Sequence, residues 1–245
     1  MKFFFHVGRY FALLSRVFSR PEKHRMYLIK IFAEIESLGI NSVGLVAVLS
    51  VFMGGIMTLQ VAYNMENPIF PSYLVGLGTR DTLILEFSST ILGLIMAGKI
   101  GANITSEIGS MKVTEQIDSL EIMGVNSAAY LIMPKIIAVV FIFPFLFILS
   151  VFFGLIGGLI VGPAVGAVSA ADYLNGIQYL FVPYYVVYSI IKTLAFGFLI
   201  ASISAYFGYY VEGGAFDVGA ASTKAVVNTD IMILVFDLIL TQLLL

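Results

Sequence analysis

The sequence predicts an all-α integral membrane protein: an N-terminal interfacial amphipathic helix, five transmembrane helices and one amphipathic helix in a water-facing loop. Three observations carry this. First, 60% of the 245 residues are apolar, mean hydropathy is +1.00 and only 11% are charged. A soluble protein of this size could not hide that much apolar surface, so lipid is its main solvent. Second, the apolar runs are long and do not alternate, which in lipid means helices with internally satisfied backbones rather than a barrel. Third, the basic residues are strongly asymmetric along the chain.

Residues 1–40 do not read as a cleaved signal peptide. Phe3, Phe4 and Phe5 begin an apolar pattern that His6, Arg9, Arg16 and Arg20 interrupt, whereas a signal core needs about 7–15 unbroken apolar residues. Lys2, Arg9, Arg16 and Arg20 share a narrow helical arc, with Phe4, Phe11, Leu14 and Phe18 on other sides. A helix in the headgroup plane with arginines on anionic lipid is expected. Pro21 restarts the chain, and Glu22 to Leu38 predicts a second helix ending at Gly39.

The spans are expected at about 43–63, 82–102, 136–162, 184–207 and 225–245 of a single domain, 1–245. Asn67–Pro68, Pro71, Gly76 and Gly78 mark breakers after the first span. Pro134 stands where the third span starts, Pro144 should kink it, and it ends near Gly162–Pro163. Between the second and third spans lies Ile104 to Met123, a polar stretch that must meet water or another protein. Read as a helix from Lys112, it has Val113, Ile117 and Leu120 on one side. Glu115, Asp118 and Glu121 fall on the other, as an acidic row. That row suits either a solvated surface or a docking face.

With the N-terminus cytoplasmic, eleven of the 13 Lys and Arg residues lie inside, Arg80 lies outside and Lys192 lies within a span. The C-terminus is then on the outer side. Gly93, Ala97 and Gly101, and likewise Gly154, Gly158, Gly162 and Gly166, recur every four residues. Such stripes allow close helix approach, within one subunit or across a dimer.

Net charge is −2 and cysteine is absent, so no nucleic-acid partner and no thiol chemistry are expected. His6 and His24 lack companion ligands, and no metal or cofactor is expected. Gly93 to Lys99 matches the spacing of a phosphate-binding loop, but Ile100 replaces its Ser or Thr and the segment is an apolar helix. Nothing supports an enzyme. Three ionisable residues stand within spans: Glu86, Lys192 and Asp237. Each would cost about 2.5–3.5 kcal/mol facing lipid at mid-bilayer. Glu86 and Lys192 differ in depth by only about 6 Å on the helix rise and could offset each other, either lining a substrate pathway or locking helix register. Asp237 needs a donor or a wet cavity.

Glu107-Ile-Gly109-Ser-Met111-Lys-Val-Thr114-Glu115-Gln116-Ile-Asp118-Ser-Leu-Glu121-Ile-Met123 resembles the signature of MlaE-type permeases, the membrane subunits of ABC lipid transporters that work with MCE-domain proteins. Ala97-Gly98-Lys99-Ile-Gly101, Pro134 and Phe236-Asp237-Leu-Ile-Leu-Thr241 also look like that family, and the likeness covers essentially the whole chain. Leu85-Glu86-Phe87-Ser88 departs from the family's Arg-Glu-Leu-Gly. The resemblance implies that about 105–123 is a cytoplasmic coupling helix seated in a separate ATPase, with Glu107, Gly109, Met111, Thr114, Glu115, Gln116, Asp118 and Glu121 as coupling residues. It further implies a homodimer with lipid between the copies, a periplasmic MCE partner over the opening, and a bacterial inner membrane or plastid location. Glu86 and Lys192 match charged positions near the family's lipid cavity, and Gly213–Gly214 matches a loop facing the ATPase. Two other classes stand beside this one. A stand-alone secondary transporter would need inverted repeats, which five spans do not supply. A non-transporting scaffold would have dispensable intramembrane charges.

Overall fold

The computed structural model describes residues 2–19, 24–65, 67 and 69–245, with side chains described from Phe4 and, after the first gap, from Tyr27. Arg20, Pro21, Glu22 and Pro68, and the side chains of Lys2, Phe3 and His24, lie outside them. Every regular element among these residues is helical: α1 Lys2–Phe18, α2 His24–Glu34, α3 Val43–Asn64, α4 Leu74–Thr82, α5 Leu92–Met96, α6 Ala102–Val113, α7 Gln116–Ile122, α8 Ser127–Ala164, α9 Ala170–Gln178, α10 Pro183–Tyr209 and α11 Ala215–Leu244. Five continuous helical runs are long and apolar enough to cross a membrane: Tyr27–Asn64, Leu74–Val113, Ser127–Ala164, Pro183–Tyr209 and Ala215–Leu244.

All five runs exceed the ~20 residues that a bilayer core requires, and at one end of the bundle α7 joins α6 to α8. α1 lies at that end, His6 meeting Tyr206 of α10. Leu244 lies at the other, its carbonyl accepting from the Tyr184 hydroxyl. α1 and the last turn of α11 therefore lie at opposite ends of the bundle. At that second end α9 packs on α4, and Arg80, 2% exposed, donates to the carbonyls of Ile177, Tyr179 and Leu180 just past the last turn of α9. Arg80 thus closes a helix C-terminus.

Gly39 does not end a helix. A π-turn, Ile35–Gly39, and a short 3₁₀ turn, Ile40–Ser42, join α2 to α3 without a break. Gly39 is instead a clearance, since a Cβ there would meet Ile142 at 2.4 Å. Pro134 does not open the helix of the third span: α8 begins at Ser127 with Pro134 and Pro144 inside it, and ends at Ala164, one residue past Pro163. Asn126 sets the start, its side chain accepting from Ala129 N–H, so the helix begins well before Pro134.

The glycine stripes pack within the chain except at Gly166, where a Cβ would meet nothing within 4 Å. A Cβ on Gly54 would fall 1.8 Å from the Gly154 carbonyl oxygen, and one on Gly157 1.9 Å from that of Val51. α3 and α8 therefore meet backbone to backbone, and a buried serine trio, Ser50–Ser150–Ser88, crosses the same seam at 2.8 and 3.1 Å. In the second span Gly93 faces Phe196 and Ile233, and Gly101 faces Ser204.

Candidate functional site

Two features can carry function. The first is a polar cluster inside the bundle. The second span is not uniform α-helix: Leu83–Ile91 is π-helical, and so is Ala97–Gly101. The wider turn frees carbonyls from the helical ladder, a feature common at functional sites. α10 uses two of them. Ser189 Oγ donates to Ile84 O at 2.7 Å and Lys192 Nζ to Leu85 O at 3.1 Å. The ammonium of Lys192, with no exposed surface, lies 2.5 Å from Asp237 and 3.4 Å from Glu86. Thr90 Oγ stands between the carboxylates, 3.0 Å from Asp237 and 3.3 Å from Glu86, and its one proton serves either. Tyr188 flanks the ammonium, its ring centroid 5.0 Å away. Asp237 is thus the closer partner. Glu86 keeps 47% of its side chain exposed and is the part of the cluster open to a ligand.

The second feature is the α7 end. Ile104 to Met123 is not one helix. α6 continues the second span to Val113, and the chain turns at Glu115, whose φ is +59°. Thr114 braces the turn, donating to Ser110 O and accepting from Gln116 Nε2. A seven-residue helix, α7, follows. Its apolar side is as expected: Ile117 is buried, and Val113 and Leu120 are partly so.

The acidic row is largely spent within the chain. Asp118 pairs with Lys112 at 2.7 Å. Glu121 accepts from Arg16 at 2.8 Å, Ser127 at 2.8 Å and Tyr209 at 3.0 Å. Those hydrogen bonds, Ser127's foremost, hold its carboxyl below the usual range. Glu107 joins Glu34 on the buried Lys135, at 2.7 and 2.6 Å. Gly109 gives clearance to Val218 and Val211, and Met111 packs against the core. Glu115 is left exposed. Large apolar side chains project beside it: Ile122 is 88% and Met123 68% exposed, and Phe216, at the start of α11, is 88% exposed. The arginines of α1 likewise make contacts within the chain. Arg16 holds Glu121, and Arg9 lies 3.7 Å over the Tyr210 ring.

Residues 31–243 match the permease MlaE family. The chain belongs to the MlaE permease family. Among its relatives, a probable ABC transporter permease of Rickettsia prowazekii is 35% identical over 238 residues, covering 95% of this chain and 88% of the relative. A probable ABC transporter permease of Synechocystis is 30% identical over 235 residues, covering 95% and 88%. The intermembrane phospholipid transport system permease protein MlaE of Haemophilus influenzae is 29% identical over 248 residues, covering 98% and 92%.

Within this MlaE-family chain, Glu86, Lys192 and Asp237 meet in one cluster, although they lie on three segments. The coupling-stretch residues stay together but face different ways. Sequence reading missed Thr90, which carries no charge, and Lys135, counted only toward topology. It also passed over Asp230, one heptad from Asp237 on α11. Asp230 Oδ1 is buried without a hydrogen-bond partner, and a carboxylate in an apolar run was signal enough.

Proposed function

We propose that this permease is the membrane subunit of an ABC transporter moving phospholipid, or a related lipid, between the bacterial inner membrane and a periplasmic MCE-domain carrier. Two copies pair with lipid held between them, and a separate ATPase subunit binds at the α7 end, which faces the cytoplasm. The α9 end and the C-terminus then face the periplasm. Membership of the MlaE family and the phospholipid-transport relative support the reading. The observation that carries it is α7 itself: a short helix, held by ion pairs and hydrogen bonds to the spans, that projects Ile122 and Met123 into water. Two adjacent apolar side chains this exposed suit insertion into a groove of a protein partner.

In this mechanism the ATPase dimer, on binding ATP, displaces α7. The displacement passes through α6 and α8 to the polar cluster, where Glu86, backed by the buried Lys192, meets the lipid headgroup and the apolar helix faces hold acyl chains. ATP chemistry belongs to the partner. Docking is tested by Met123→Asp and Ile122→Asp in the chain co-expressed with its ATPase. Loss of the ATPase subunit from an otherwise intact permease dimer is expected. Unchanged co-purification would contradict docking at α7.

A further inference from the structure

α1 is fastened at both ends, and one fastening falls where the coupling segment enters α8. Asn126 acts in two directions. Its Oδ1 accepts from Ala129 N–H at 3.3 Å and caps α8. Its Nδ2 donates to the carbonyls of Arg16 and Ser19, at 2.9 and 3.0 Å, at the end of α1. One amide therefore opens α8 and closes α1. Glu121 adds the ion pair to Arg16 from within α7. Only residues 123–126 separate α7 from α8, so the end of α1 cannot stay in place while α7 shifts.

The other end of α1 rests on α10, through His6 to Tyr206 at 2.7 Å and Tyr10 to Ser202 at 2.8 Å. Leu13 and Val17 are buried beneath it. Phe4, Phe11 and Phe18, at seven-residue spacing, are 79%, 62% and 57% exposed on one flank. Gly8, Ala12, Ser15 and Ser19 are exposed on another. A helix split in this way lies in the membrane interface with its aromatic flank among acyl chains.

We infer that Asn126 is a positioning residue that yokes α1 to the coupling segment, so that displacement of α7 by the ATPase also moves the phenylalanine flank of α1 in the cytoplasmic leaflet. The inference rests on the ATPase reading above. Asn126→Asp isolates it, because the carboxylate still caps α8 but cannot donate to the two α1 carbonyls. The complex of permease, ATPase and carrier is reconstituted in phospholipid vesicles, with Ser15→Cys carrying an environment-sensitive dye.

In the otherwise native complex, ATP should change the dye signal. With Asn126→Asp, the ATPase should stay bound and hydrolyse ATP, the dye response should vanish, and lipid transferred per ATP should fall. An unchanged dye response and an unchanged lipid-to-ATP ratio in Asn126→Asp would overturn the yoke while leaving the transporter reading intact. If the native complex itself moved no lipid on ATP, both would fall.

Discussion

Lys192 is the residue on which the polar cluster depends, because it is the only cation near two intramembrane carboxylates among the described residues. Replacing it by Met leaves Asp237 and Glu86 without a counter-charge. Breaking one partner of a buried pair costs about 3–5 kcal/mol, so Lys192→Met should lower the detergent melting temperature clearly. Lys192→Met with Asp237→Asn should recover much of that loss. If lipid transfer recovers with stability, the cluster is a structural lock; the pathway reading predicts that it does not. At the α7 end, the hydrogen bonds to Glu121, chiefly from Ser127, lower its pKa. A group depressed in this way stabilises the fold above its unfolded value, about 4, and releases that stabilisation only as pH falls through the lower folded value. The lipid-to-ATP ratio should therefore not change across neutral pH through this group. A loss setting in near neutrality would assign pH sensitivity elsewhere. These partners were not legible in the sequence. Arg16 lies 105 positions from Glu121 and Glu34 101 from Lys135, and a charge on a helix wheel does not announce a donor that folding brings from so far away.

Helices were legible where apolar composition alone decides them, and illegible where the decision is tertiary. α3 is an example. Its apolar run predicts a span, and its Gly54–Gly55 pair signals a close approach without saying to what. The partner is the backbone of α8. Gly54→Ala puts a methyl where the Gly154 carbonyl stands and must push two spans apart, costing about 1–3 kcal/mol or more. Gly44→Ala, in the same helix, meets nothing within 4 Å. It should be neutral or gain up to about 1 kcal/mol of helix propensity. Thermal unfolding of both variants in detergent checks the contrast, and equal effects would refute the backbone contact. The π-helical stretch around Glu86 had no residue-type signal, since φ and ψ stay in the helical region and only the hydrogen-bond partner changes. The turn that splits α6 from α7 fell on Glu115, a residue type with no preference for positive φ, so the amphipathic pattern read through it.

Across the whole molecule, one end gathers the exposed apolar side chains of α7 together with α1 and the buried Lys135, while the interior holds the cluster of Glu86, Lys192 and Asp237. Basic-residue counts predict which end faces the cytoplasm, because most lysines and arginines precede Asn41 or lie on the segments of the α7 end. The connection between that end and the cluster was not readable, since it runs through packing: α6 and the π-helical segments are one continuous rod, Leu74–Val113. A push on α7 has a direct route along that rod to Glu86. The account therefore stands on ATP-dependent lipid movement by the assembled complex. Its most direct measurement is transfer of a fluorescent phospholipid between permease-containing vesicles and the carrier, with the ATPase present or omitted. The account predicts transfer that requires both ATP and the ATPase and is abolished by Met123→Asp; transfer that continues at the same rate without the ATPase would contradict it.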